Sequence, residues 1–172
     1  MVLTTERLRL RLPQLDDAPF IQKLLNDPDW LRNIGDRGVR NTADAARYID
    51  ERLLDSFRRH GFGLWLVESR SGAEPLGLCG LLKRDYLEDL DIGYAFLPGA
   101  RGQGHAFEAA QRTMRFASQE LGHKRVAALV LRENISSVRL LTRLGMSFQR
   151  EIQDRDSEVD LYLLQLEQQA TS

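Results

Sequence analysis

Cysteine is almost absent from this 172-residue chain. Cys79 stands alone, which excludes an internal disulfide framework and any cysteine-rich metal site, and it points to a reducing, cytoplasmic setting. Histidine is nearly as scarce: His60, His105 and His123 lie far apart and show no metal-ligand spacing. Net charge is also missing. With 24 basic and 25 acidic residues the chain carries a formal charge of -1, too little for a basic field toward nucleic acid or an anionic membrane. No apolar stretch is long enough to cross a bilayer, and the opening Met1 to Leu12 lacks the charged start and apolar run of a signal peptide. There is no internal repeat, low-complexity tract or linker, so residues 1–172 are expected to form one domain. Lysine is rare as well, with three against 21 arginines, and arginine suits bidentate contacts to phosphate and carboxylate.

What remains reads as an ordinary globular pattern of alternating elements. Arg7-Leu-Arg-Leu-Arg-Leu12 has the two-residue period of a half-buried strand, closed by Pro13. Asp16 and Asp17 suit the cap of a first helix carrying Phe20, Ile21, Leu24 and Leu25, and Asn26 to Asp29 ends it. Trp30 to Arg40 reads as a loop or short helix. Thr42 is placed to cap a second helix running to about His60, with Gly61 beyond its end. Gly63 to Glu68, Leu76 to Lys83 and Leu90 to Leu97 have strand character. A third helix, from near Gly104 to near Gly122, presents Ala106, Ala109, Ala110, Thr113, Met114 and Ala117 along one stripe. Val126 to Leu131 is apolar throughout and reads as a central strand. Asn134 caps a short helix that Gly145 terminates, and Ser147 to Glu151 with Glu158 to Leu166 can form a final antiparallel pair. The polar tail from Glu167 to Ser172 carries no motif and is expected to fray.

The most specific feature is Asp91 to Ala106, a strand running through a glycine-bearing loop into an alanine-rich helix. A tight turn into a helix start exposes unpaired N–H groups that hold phosphate. A nucleoside-triphosphate loop would need Gly-Lys-Ser/Thr, whereas Gly104 is followed by His105 and Ala106. A dinucleotide fingerprint would place a small residue where Phe107 stands, and no βαβ unit precedes the loop. A nucleotide-binding oxidoreductase would have to bind NAD on this loop.

Arg101-Gly-Gln-Gly-His-Ala106 resembles the Arg/Gln-x-x-Gly-x-Gly/Ala signature of the GNAT superfamily of acyl-CoA N-acyltransferases. The likeness runs from about residue 3 to 165. It includes Thr5 to Arg11, His60 to Trp65, Leu76 to Leu82, Asp91 to Tyr94, Glu108 to Ala110 and Asn134 to Met146, an ordered set that resembles the RimJ/RimL branch. That resemblance implies an α+β fold with a mixed, mostly antiparallel twisted sheet, a splayed central strand pair and helices on both faces. Acetyl-CoA is the implied acyl-donor co-substrate, with no metal. Its pantetheine arm would run along Tyr94, Ala95, Phe96 and Leu97. Its pyrophosphate would rest on Arg101, Gly102, Gln103, Gly104, His105 and Ala106, with Asn134 and Ser137 completing the cofactor site.

Transfer of an acetyl group to an amine requires a base for the ammonium, a donor for the tetrahedral oxyanion and a proton for the departing thiolate. The resemblance places Asp91 as the base and Ser137 as the acid, while Leu141 occupies a helix position where the superfamily often carries tyrosine. Asp91 also reads as a solvated strand-entry residue, and Ser137 as a first-turn serine satisfying local backbone. Trp30, Asp36 and Glu51 fall in segments that line the amine site in the family. The acidic loop of Asp85, Glu88 and Asp89 would attract a cationic amine or a protein N-terminus. Arg139 and Arg143 would reach the 3′-phosphate end of CoA, or simply form a polar helix face. Cys79, inside an apolar strand pattern, reads as a small hydrophobe rather than a nucleophile. Glu108 reads as structural. The implied activity is N-acetylation of a protein N-terminus, of the ribosomal-protein type, or of a small amine, by a monomer or homodimer. The alternative is a catalytically weak acyl-CoA-binding sensor.

Overall fold

The computed structural model describes residues 1–167; beyond Glu167, the expectation that the tail frays lies outside the described residues. Eight strands form one sheet in the order β1-β2-β3-β4-β5-β6-β8-β7. They are β1 (Leu3–Thr4), β2 (Leu8–Arg11), β3 (Leu64–Ser69), β4 (Pro75–Leu82), β5 (Asp91–Phe96), β6 (Arg125–Val130), β7 (Ser147–Asp154) and β8 (Ser157–Gln165). Every neighbouring pair is antiparallel except β5 and β6. The alternation read from Arg7 to Leu12 holds over Leu8–Arg11; Leu12 lies beyond the strand and is exposed. Leu8 and Leu10 are fully buried, while Arg9 and Arg11 turn outward to bind the buried Glu68 carboxylate of β3. The two-residue β1 was not expected from the sequence; it is too short for its period to show.

Six helices complete the fold: α1 (Ala18–Leu25), α2 (Pro28–Asn33), α3 (Thr42–Tyr48), α4 (Asp55–His60), α5 (His105–Gln119) and α6 (Ile135–Arg143). Two caps differ from the sequence reading. Asn41, not Thr42, caps α3 by accepting from the Asp44 N–H at 2.8 Å. Asp17 makes no side-chain cap to α1. Its carboxylate instead takes the Gln14 N–H and pairs with Arg11. Between α3 and α4 the chain stays helical but widens into a π-helical segment, Ile49–Leu54.

The sheet separates two principal cores. On one face, α5 packs Ala109, Ala110, Met114, Phe116 and Ala117 against Trp65, Cys79, Leu81 and Val126, and α6 adds Leu141. On the other, Ile21, Leu24 and Leu25 of α1 meet Ala45 and Ile49 over Leu66 and Leu78. Helices therefore flank both faces, as expected.

The feature that positions the site is the junction of β5 and β6. β4 follows β5 through six registered pairs, from Leu82↔Asp91 to Gly77↔Phe96. β6 meets β5 at one pair only, Asp91↔Ala127, beside the Ala127 N–H to Leu90 carbonyl bond of 2.8 Å. Past that point the two strands splay apart.

Candidate active site

The splay opens a cleft of about 1350 Å³ between the β5 and β6 strands. Antiparallel pairing alternates, and the Leu97 N–H is bound to the Leu76 carbonyl at 3.0 Å. The same phase sends Ala95 and Gly93 toward β4, so Tyr94 and Phe96 direct their backbone groups into the gap. The Phe96 carbonyl is taken by Arg101 Nε at 3.0 Å. Tyr94 keeps its groups facing open space, as an extended ligand arm needs.

One end of the cleft is the glycine loop. Gly102 and Gly104 adopt φ of 74° and 80°, in the left-handed region that favours glycine. Among the described residues, the N–H groups of residues 102–107 donate to no protein acceptor. The first helical bond runs from the Glu108 N–H to the Gly104 carbonyl at 3.1 Å. A cluster of free amides at the start of a fifteen-residue helix is an anion cradle. His105 contributes its backbone, while its ring Nδ1 lies 3.1 Å from the Ala100 carbonyl. Gln103 Nε2 donates to Gly99 at 2.9 Å and so folds the loop on itself.

Two arginines hold this loop, one from within it and one from the start of the chain. The Arg101 guanidinium binds Asp27 at 2.9 Å and also Asp29, so its charge is committed to α2 and its cap. Arg7 donates to the Gln103 carbonyl at 2.8 Å and to Glu108 at 2.7 Å, and Thr5 Oγ1 donates to Glu108 at 2.5 Å. Partial burial pushes the Glu108 carboxyl up, but the bonds from Thr5 and Arg7 outweigh it and hold it below its ordinary value. Glu108 is thus the structural tie between the start of the chain and α5. At the far side of this end Arg143 stacks over the Phe107 ring at 4.6 Å and lines the cleft, whereas Arg139 does not.

Across the gap, Asn134 caps α6: its Oδ1 accepts from the Ser137 N–H at 3.4 Å. The Ser137 hydroxyl lies 2.5 Å from the Tyr94 hydroxyl, joining α6 to β5 on the α5 side of the sheet. Burial pushes the Tyr94 phenol up to about 12, so it stays protonated near neutral pH. The sequence reading used only the backbone of Tyr94 and missed this side chain. The available signal was its two-residue phase with Ile92 and Phe96. Leu141, in the position often held by tyrosine, is core.

Asp91 sits where the strands begin to part and is 2 % exposed. It is therefore no solvated strand-entry residue. Its Oδ2 accepts from Arg84 Nε at 2.7 Å, and the Leu129 backbone of β6 also favours the ionised carboxylate. Burial pushes the Asp91 carboxyl up to about 6, and Arg84 and Leu129 recover only part of that cost. Burial likewise opposes the Arg84 charge, but the charge and hydrogen bond of Asp91 more than offset it. Nothing in the sequence signalled Arg84 as the partner.

The remaining expected residues fall differently. Trp30 lines the cleft but is 5 % exposed, and its indole donates to the Gly35 carbonyl at 3.1 Å, anchoring the loop that follows. Asp36 lines the cleft and is held by Arg40, which lowers its carboxyl to about 2. Glu51 is exposed and does not line the cleft; its neighbour Arg52 does. Leu97 and Ala95 pack toward α1 and α3, and only Ala95 reaches the cleft wall. The acidic loop is turned away: Glu88 and Asp89 bind Arg125 at 3.4 and 3.0 Å, and Lys83 and Arg84 are its cleft-facing residues. Cys79 is fully buried, and burial pushes its thiol up to about 12, which leaves it no thiolate to attack with. Among the described residues no group of three or more His, Cys, Asp or Glu is placed to hold a metal, and no helix is long and apolar enough to cross a membrane.

Residues 7–147 match the acetyltransferase (GNAT) domain family. An uncharacterized N-acetyltransferase p20 of Bacillus licheniformis is 30% identical over 174 residues, covering 95% of this chain and 94% of the relative. The acetyltransferase of Agrobacterium tumefaciens str. C58 superposes with a TM-score of 0.82 at 22% identity, covering 95% of this chain and 94% of that one. RimL, a ribosomal L7/L12 alpha-N-protein acetyltransferase solved with coenzyme A, also gives 0.82 at 15% identity, covering 96% and 98%. With its parted central strands, its amide cradle and a family match over most of its length, the chain belongs to the GNAT family of acyl-CoA N-acyltransferases and is RimJ/RimL-like in structure.

Proposed function

We propose that this acetyltransferase transfers the acetyl group of acetyl-CoA to a primary amine, a protein N-terminus or a small molecule, by direct attack in a ternary complex. The observation that carries the reading is the through-sheet cleft. Tyr94 and Ser137 meet on the α5 side of β5, while Asp91 follows the phase of Ala95, toward the α1–α3 side. The donor enters from the first side with its pyrophosphate on residues 102–107 and its arm beside Tyr94 and Phe96, close to Asn134. The amine approaches from the second.

Asp91 takes a proton from the ammonium, directly or through a water, and the freed lone pair attacks the thioester carbonyl. A carboxylate near 6 is a stronger base than an ordinary one yet still ionised at neutral pH. The Tyr94 N–H, open to the gap, is positioned for the oxyanion. As the C–S bond breaks, the leaving thiolate receives the Ser137 hydroxyl hydrogen bond, and the second proton shed by the attacking nitrogen passes through water to the sulfur. With Tyr94 donating to Ser137 Oγ, the serine proton is directed away from Tyr94 and toward the sulfur. The products are an amide and free CoA. A reducing, cytoplasmic setting and a monomeric or homodimeric state fit this reading.

A thiol-release assay with acetyl-CoA and a panel of peptides, polyamines and aminoglycosides tests it. Acceptor-dependent CoA release supports the proposal. Stabilisation by acetyl-CoA with no release for any acceptor would favour a sensor.

A further inference from the structure

The acceptor end of the cleft carries cations that the protein does not neutralise. Most of the arginines are ion-paired, for example Arg11 with Asp17 and Glu68, or Arg132 with Asp160 and Glu151. Arg37, Arg52 and Arg155 are exceptions: among the described residues none has a carboxylate within ion-pair distance. They come from three separate segments, the loop after α2, the π-helical segment Ile49–Leu54 and the β7–β8 turn. All three line the cleft together with Tyr48. Burial raises the Tyr48 phenol, and the charges of these three arginines act against that rise, as expected of cations lining the same cleft.

Two cleft-lining carboxylates are already ion-paired, Asp36 with Arg40 and Asp91 with Arg84; Asp154 accepts from the neutral Tyr86 hydroxyl at 2.5 Å and, among the described residues, has no arginine within ion-pair distance. Like charges lining one cleft without an ion-paired carboxylate repel one another, and an incoming anion relieves that repulsion. Their planar forks also match an oxyanion bidentately. The Tyr48 hydroxyl, in the lining of the same cleft, adds a further donor.

We infer that the amine acceptor bears an anionic group, a carboxylate or phosphate, seated among Arg37, Arg52, Arg155 and the Tyr48 hydroxyl while its amine faces Asp91. This rests on the acetyltransferase reading of the cleft.

Matched acceptor pairs test it with the full chain and acetyl-CoA: glutamate against its diamide, phosphoethanolamine against ethanolamine, and peptides whose second and third residues are aspartate against lysine. The three pairs distinguish a free amino acid, a phosphate-bearing amine and an acidic N-terminus. In at least one pair kcat/KM should favour the anionic member by roughly tenfold or more, the scale of one charge-assisted hydrogen bond. Arg52→Gln and Arg155→Gln should each collapse that ratio, and Arg150→Gln, exposed on β7 outside the cleft, should preserve it. Equal or better turnover of the neutral or cationic members, or a ratio insensitive to Arg52→Gln and Arg155→Gln, overturns this inference alone. Release of CoA with no acceptor at all, despite stabilisation by acetyl-CoA, overturns the parent reading and this one together.

Discussion

The buried Asp91 pairs with the half-buried Arg84 and its carboxyl is held at about 6, a value that gives the proposed base two separable signatures. Both the ammonium and Asp91 must lose a proton before attack. The logarithm of kcat/KM should therefore rise with slope one between about pH 6 and the amine value, and steepen toward slope two below about pH 6. In Asp91→Asn the rate should fall about 10²-fold or more, and slope one should persist through the acid range. Steepening that survives in Asp91→Asn would rule it out as base. Stability runs the other way. A folded value raised above the unfolded one favours the folded state fully below about pH 4, and the contribution is lost as pH rises through about 6. The second residue-scale device is the Tyr94–Ser137 pair. Ser137→Ala should lower kcat about 10²-fold and Tyr94→Phe roughly tenfold. In the double variant the loss should not exceed that of Ser137→Ala alone, because one hydroxyl acts through the other. Independent, additive losses would refute the relay.

At the scale of elements, the start of α5 depends on backbone that only glycine supplies cheaply. Gly104→Val places a branched side chain at φ 80°, where Arg7 Nη2 would lie 3.2 Å from the new Cβ. Local strain of about 1–3 kcal/mol and a displaced amide cradle should weaken CoA binding tenfold or more by calorimetry. Gly99→Ala, in open space with an ordinary φ, should bind normally. This loop was legible in the sequence because its chemistry is local: glycines, a helix start and the preceding strand are contiguous. So was the Asn134 cap, set by a four-residue motif. What stayed hidden depends on contacts between distant segments. The Arg84–Asp91 pair requires the β4–β5 hairpin to close. The Tyr94–Ser137 contact requires α6 to lie over β5. Glu51 misses the cleft while its neighbour Arg52 lines it, in a π-helical segment that departs from the 3.6-residue period on which any facing argument from Thr42 to His60 depends. The acidic loop misled for a related reason: its carboxylates serve Arg125 of β6, a partner about 36 residues away in sequence.

The whole molecule consists of two wings of one sheet, β1–β5 and β6–β8, whose sole registered junction is Asp91↔Ala127. A ligand arm lying in the gap would supply the backbone partners that β5 lacks past this point and tie the wings together. Binding confined to the folded state stabilises by RT ln(1 + [L]/Kd), about 2.7 kcal/mol at a hundredfold excess over Kd. For a chain of this size that corresponds to a rise of about 5–11 °C in Tm. Acetyl-CoA should produce it, and NAD at the same concentration should not. Hydrogen exchange locates the effect: the Tyr94 amide, facing the gap, should slow markedly with acetyl-CoA, whereas the Leu97 amide, already bonded to Leu76, should change little. A general slowing without contrast between these two amides would mean that the ligand stiffens the fold from elsewhere. An equal response to NAD would mean that the glycine loop recognises phosphate alone, leaving the gap between the wings without its ligand.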